Sequence, residues 1–131
     1  HVRSIRVYFE VNRAPYAAGE SSFIGQTLKR LGVGNVVPAE LGPFPKLNPE
    51  FVVRANPDLI MVGQRNVQGM TERPGWQRLR AVREQRICVF NSDDEDAIVR
   101  PGPRMAEGAR LLAQCILKHS NATPTARGGA L

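Results

Sequence analysis

The stretch NPEFVVRANPDLIMV, Asn48 to Val62, decides the fold. Asn48 can cap a helix, Pro49 fits its first position, and Glu50 meets the positive end of the helix dipole. The helix closes near Ala55 and Asn56, because Pro57 bars any continuation. Leu59, Ile60, Met61 and Val62 then form an unbroken apolar run. Such a run is buried on both faces, as in a parallel strand covered by helices on each side.

Working outward, the flanks repeat this alternation. Residues Ile5 to Val11 alternate and are rich in β-formers, which predicts a strand. A polar loop from Asn12 to Gly19 follows. Ser21 or Ser22 caps a helix carrying Phe23, Ile24, Leu28 and Leu31, and Gly32 ends it where a left-handed residue is wanted. Val36-Val37 reads as a short strand, and Pro38 to Leu47, with three prolines, reads as a loop. Beyond Val62, Gly63 to Arg73 reads as loop or irregular helix. Pro74 to Glu84 is partly helical, with Trp76, Leu79 and Val82 inward. Ile87 to Phe90 is a further buried strand. Asn91 to Gly102 reads as an acidic and then Pro/Gly-rich loop. Pro103 to His119 is the last helix, with Met105, Ala109, Leu112, Ala113 and Ile116 on or near one face. Strands alternating with helices predict a three-layer α/β/α sandwich with a mainly parallel sheet, a Rossmann-like lobe. One domain is expected over residues 1–119, with 120–131 a disordered tail. In such sheets ligands gather at the loops after the strand C-termini, here Asn12–Gly19, Gly63–Arg73 and Asn91–Gly102.

Composition narrows the function. The 131 residues are 42% hydrophobic but only 6% aromatic, so one core built from aliphatic side chains is expected. No apolar run reaches the roughly 18 residues of a membrane span. The opening HVRSIRVYFEV enters a strand pattern directly with no signal peptide ahead of it, as expected for a piece of a longer protein. The net charge of +6 comes with 15 Arg and 3 Lys, which raises nucleic acid as a partner. The densest basic stretch, Arg73, Arg78, Arg80, Arg83 and Arg86, is diluted by Glu84 and interleaved with no aromatic but Trp76. A solvated face or connecting loop is its simpler reading. Cys88 and Cys115 match no zinc or redox spacing. Each sits in an apolar context suited to a small buried hydrophobe, and a disulfide between them would suit an oxidising compartment.

Catalytic motifs are missing. The first strand leads to NRAPYAAGESS rather than a GxGxxG turn. LGVGNVV follows a helix and so is no phosphate loop. No Ser-His-Asp set, HExxH or paired-cysteine metal motif occurs, and the histidines, His1 and His119, lie near the ends. An enzyme is not expected, nor a cofactor. Asp93-Asp94-Glu95-Asp96 could attract a hard cation, but lacks the glycine and distal glutamate of an EF-hand, and a solvated loop is the simpler reading.

The segments VYFEVNRAPYAAGESSFIGQTLKRLGVGNVV, PFPKLNPEFVVRANPDLIMV, ERPGWQRLRAVREQRICVF and RPGPRMAEGARLLAQCI, in that order, resemble the second lobe of helical-backbone (class III) substrate-binding proteins of ABC importers. These carry vitamin B12 (cobalamin), haem or ferric siderophores. The resemblance runs from about Ile5 to Leu117, and the Pro-Phe-Pro loop is most similar to the cobalamin binders. It implies a periplasmic protein, or a membrane-anchored lipoprotein facing outside. The ligand would sit between two lobes and be delivered to a membrane permease. The N-terminal lobe and connecting helix are absent from this chain, and the isolated lobe is expected to self-associate through the face so exposed.

The resemblance places permease docking on Glu50 and a ligand-contacting aromatic at Phe44. Helix-start chemistry alone would also account for Glu50, and packing under the loop for Phe44. Tyr16 lies in the first cleft loop. Arg13, Arg65 and Arg100 lie one in each of the three loops and, if they converge, suit an anionic chelate such as a carboxylate siderophore or haem propionates. The alternative is a free-standing basic α/β module that binds nucleic acid or a protein through its arginines.

Overall fold

Alternate residues of a strand face opposite ways, so a strand apolar throughout needs a cover on each side. The computed structural model describes residues 5–13 and 15–120 and supplies both covers. In chain order it runs β1 (Arg6–Asn12), β2 (Tyr16–Ala17), α1 (Phe23–Arg30), β3 (Gly34–Asn35), α2 (Pro49–Ala55), β4 (Leu59–Gly63), α3 (Arg80–Arg83), β5 (Ile87–Phe90), α4 (Ser92–Val99) and α5 (Met105–Ser120). Short 3-10 turns lie at Ala39–Leu41, Met70–Glu72 and Trp76–Arg78.

Among the described residues the sheet has five strands, in the order β2-β1-β4-β5, with β3 also on β1. β1 runs parallel to β4 with Val7 opposite Leu59, and β4 runs parallel to β5 with Ile60 opposite Ile87. β3 is parallel to the start of β1, while β2 is antiparallel to its end. Val7, Phe9, Leu59, Met61 and Phe90 pack with Ile24 and Leu28 of α1, Ile98 of α4 and Leu112 and Ile116 of α5. Tyr8, Ile60 and Val62 pack on the opposite face with Val52 of α2, Met70, Trp76 and Leu79. This is the expected three-layer sandwich with a mainly parallel sheet.

Local chemistry sets the helix bounds. The Ser22 hydroxyl accepts from the Gly25 amide at 2.9 Å, and the Asn48 side chain accepts from the Glu50 amide at the same distance. Gly32 after α1 has φ +88°, the left-handed conformation in which a side chain is strained. Asn56 closes α2 at φ 49°.

Several elements differ from expectation. The span Asn91–Gly102 is largely helical. Asn91 caps α4 by accepting from the Asp94 amide at 2.8 Å, and Asp93, Asp94 and Glu95 occupy the first turn, where the dipole favours carboxylates. The acidity that suggested a solvated loop is a helix-start signal instead. Asp93, Asp94 and Glu107 do approach one another. Arg104 pairs with Asp93 at 3.1 Å and Glu107 at 2.8 Å, so two of the three carboxylates share one cation. The strand expected at Val36-Val37 falls two residues earlier, at Gly34–Asn35, although the Val36 amide still donates to the Val7 carbonyl at 3.0 Å. Met105 is exposed at the start of α5 rather than inward. Ser120 belongs to that helix, and the rest of the expected tail, 121–131, lies outside the described residues, as does His1. His119 is buried, and that burial holds its pKa below the usual histidine range. Among the described residues no helix is long and apolar enough to cross a membrane.

Cys88 on β5 and Cys115 on α5 form a disulfide. It pins an edge strand to the last helix across a separation of 27 residues. By loop-closure entropy the bridge stabilises the fold by about 3–4 kcal/mol. Urea unfolding of the oxidised chain should therefore show a midpoint well above that of the Cys88→Ser/Cys115→Ser variant. Equal midpoints would show that the closed loop contributes nothing.

Candidate functional site

Three parallel strands end at one edge of the sheet, and the segments leaving them meet there. β1 passes into Asn12 and Arg13, β4 into Gln64, Arg65 and Asn66, and β5 into α4. The Asn66 side chain donates to the Val11 carbonyl at 3.0 Å, and Arg13 Nη2 donates to the Arg65 carbonyl at 3.2 Å. The Gln64 amide donates to the Phe90 carbonyl at 2.8 Å. These bonds tie the exits of all three strands together. Between them lies an open cleft of about 310 Å³, lined by Val11, Asn12, Arg65, Asn66, Glu95, Asp96, Val99 and Arg100.

The cleft is not purely basic. Arg65 Nη2 lies 3.4 Å from the Glu95 carboxylate and 3.8 Å from that of Asp96. Arg100 Nε lies 3.5 Å from the same Asp96, one helical turn away. Glu95 is 5% exposed at its side chain, whereas Arg65 is 62% exposed and Arg100 77%. Its carboxylate fills the space beside Gly63, where any Cβ would collide with it. A side chain at Gly63 would have to displace that carboxylate. Two carboxylates offset the two arginines that line the cleft. An anionic ligand would compete with Asp96 for guanidinium groups already paired, rather than meet bare cations.

Of the residues singled out from sequence, Arg13, Arg65 and Arg100 are brought together. Tyr16 and Phe44 are not part of that cleft. Residues 15–19 run antiparallel to 43–47, with Tyr16 bridged to Lys46 and the Ala17 amide donating to the Pro45 carbonyl at 3.1 Å. Phe44 is 40% exposed and meets Phe23 of α1 edge-on at 6.1 Å between ring centres. Tyr16 thus lies beside Asn12 at the end of β1, and Phe44 against α1. Glu50 is exposed at the start of α2. Trp76 Nε1 donates to the Pro49 carbonyl at 3.2 Å, which anchors that helix start.

Sequence reading missed Glu10, Glu95 and Asp96 as parts of the site's framework. The alternation of β1 places Glu10 on a buried face, which was a usable signal. The pairing of Glu95 with Arg65, across 30 residues, left no local trace. The basic stretch is also less free than its composition implies. Arg73 pairs with Glu10 at 2.8 Å, Arg80 with Asp58 at 3.2 Å, and Arg86 with Glu84 at 3.1 Å. Arg73 is no solvated residue, being 17% exposed at its side chain.

Comparison with known proteins places this geometry. The family model described as "Periplasmic binding protein" matches residues 3–93. The chain is 29% identical over 113 residues to an uncharacterized ABC transporter substrate-binding lipoprotein of Bacillus subtilis, covering 84% of this chain and 35% of the relative. A possible iron-binding, periplasmic solute-binding protein from Staphylococcus epidermidis superposes with a TM-score of 0.74 at 28% identity, over 88% of this chain and 46% of that one. The periplasmic vitamin B12-binding protein of Vibrio cholerae superposes at 0.72 with 16% identity, over 91% and 46%, a likeness of fold alone. This chain thus spans about a third to a half of the length of these relatives. The matched family is one of solute-binding proteins, not enzymes.

The unequal burial of the two outer arginines separates their effects. Arg65→Ala leaves the nearly buried Glu95 without its partner and should cost about 1–2 kcal/mol, discounted because Arg65 itself is open to solvent. Arg100→Ala removes an exposed pair and should cost less than about 0.5 kcal/mol. Denaturant unfolding of both variants measures the gap. Equal, negligible losses would mean that Glu95 does not depend on Arg65.

Proposed function

The chain belongs to the periplasmic binding protein family, and on that premise we propose that it is one lobe of the substrate-binding component of an ABC importer for a metal chelate. Ligand would be held between this lobe and a second one, at the edge where the three parallel strands end. The observation that supports this reading is that Arg65 and Arg100 line one cleft at that edge, with Arg13 bonded to the Arg65 carbonyl beside it. Tyr16 and Phe44 would offer flat apolar contact. Held between Pro43 and Pro45, Phe44 would lose little entropy on binding.

Arginines that can exchange a protein carboxylate for a ligand carboxylate suit haem propionates or a carboxylate siderophore. Tyr16 and Phe44 would suit the face of a macrocycle, and a corrin would need fewer of the charges. Delivery would place the protein in the periplasm, or on the outer face of a membrane as a lipoprotein. The disulfide supports an oxidising compartment. The reading as a free-standing nucleic-acid module loses its support, because the densest arginine run is largely paired within the chain.

Hemin, cyanocobalamin and a ferric carboxylate siderophore should be titrated in turn against the two-lobed protein. One of them is expected to bind, with Arg65→Ala/Arg100→Ala weakening it at least about tenfold, as for loss of charge-assisted hydrogen bonds. Binding of none, or binding indifferent to both arginines, would remove the proposed site.

Delivery is tested at Glu50. An exposed carboxylate beyond the Debye length of about 8 Å should leave ligand affinity within about threefold when changed to Ala. Uptake through the partner permease should fall, since an unpaired interfacial charge costs on the order of 2–5 kcal/mol. Glu50→Lys should be worse through repulsion of permease arginines. Unchanged uptake with Glu50→Lys would end the docking role, and collapsed ligand affinity would put Glu50 in the pocket.

A further inference from the structure

Glu10 is a fully buried carboxylate in the middle of an apolar layer. Arg73, 63 residues away, grips it with two parallel bonds of 2.8 and 2.9 Å. The Tyr8 hydroxyl donates a third bond at 2.7 Å. Burial and the neighbouring carboxylate push the Tyr8 phenol far above its ordinary value, so it stays a donor. The same guanidinium lies over the Trp76 ring at 4.5 Å, and its Nη2 reaches the Arg13 carbonyl at 3.5 Å. Trp76 in turn donates to the Pro49 carbonyl, beside Glu50. One chain of contacts therefore runs from the cleft loop through Glu10, Arg73 and Trp76 to the start of α2.

A buried ion pair is poor evidence of added stability, because desolvation offsets most of its attraction and an apolar pair of equal volume often serves as well. What the forked guanidinium does supply is fixed direction. It holds a carboxylate, an aromatic face and a loop carbonyl at once, which no apolar side chain can do. We propose that the Glu10–Arg73 pair is a positioning device that locks the Arg13 loop of the cleft to the helix start bearing Glu50, so that the binding face and the docking carboxylate move as one body. The roles of those two ends rest on the function proposed above. The mechanical link between them does not.

The link is tested without ligand, so its failure is distinct from failure of that function. Amide hydrogen exchange is measured on the 131-residue chain, on Glu10→Gln/Arg73→Met and on Arg73→Lys. The double variant removes both charges and keeps an acceptor for Tyr8, so its melting temperature should stay within about 4 °C of the parent. Exchange should rise at least about tenfold at both 12–18 and 48–52 while β4 and α5 keep their protection. Arg73→Lys keeps a charge on Glu10, and with it the fold, but lacks the fork. It should loosen both segments as well, and it decides the question if the double variant does not fold. Unchanged exchange, a rise in one segment alone, or a uniform rise together with a lower melting temperature would each overturn the proposal.

Discussion

The rest of this structure depends on covering β4 from both sides. All five of its residues are buried, so neither face can be left to water. A parallel neighbour cannot be reached by a tight hairpin, and each crossover returns the chain over one face of the sheet. The crossover from β1 to β3 lays down α1 on one face, the one from β3 to β4 lays down α2 on the other, and the one from β4 to β5 adds the Trp76 turn and α3. The strand exits are then left together at a single edge, with helices filling the flanks. The cleft is a by-product of solving the burial problem.

The elements that local chemistry dictates were legible. Asn48, Pro49, Glu50 and Pro57 bound α2, and the apolar runs at 59–62 and 87–90 lie where the strands lie, although β5 is a partly exposed edge strand and not the buried one expected. Legibility failed where one signal has two readings. A run of acids is solvated in a loop and stabilised at a helix start, and only the Asn91 cap with Ala97 and Ile98 facing inward chooses between them. It failed entirely where partners are distant in sequence. Residue type suggested that Arg13, Arg65 and Arg100 could converge, but not that Glu95 and Asp96 would stand among them. Nor did it suggest that Arg73, in the most basic part of the chain, is committed to Glu10.

Those carboxylates change what the cleft can distinguish. A site of unpaired cations attracts any anion in proportion to charge. A site in which cations already have partners responds to geometry, because an incoming ligand must improve on bonds that exist. Arg65 and Arg100 share Asp96, so displacing that one side chain frees Arg100 and leaves Arg65 on Glu95 alone.

The bridge between Cys88 and Cys115 has a consequence beyond stability. It closes a covalent ring that contains α4 and the first part of α5, and hence Glu95, Asp96 and Arg100. β5 sits at the end of the strand order, with Val89 exposed. Such an edge is where chains trade segments with their neighbours or stack into fibrils. A ring cannot be traded one limb at a time. The acidic wall of the cleft is therefore sealed to its own molecule.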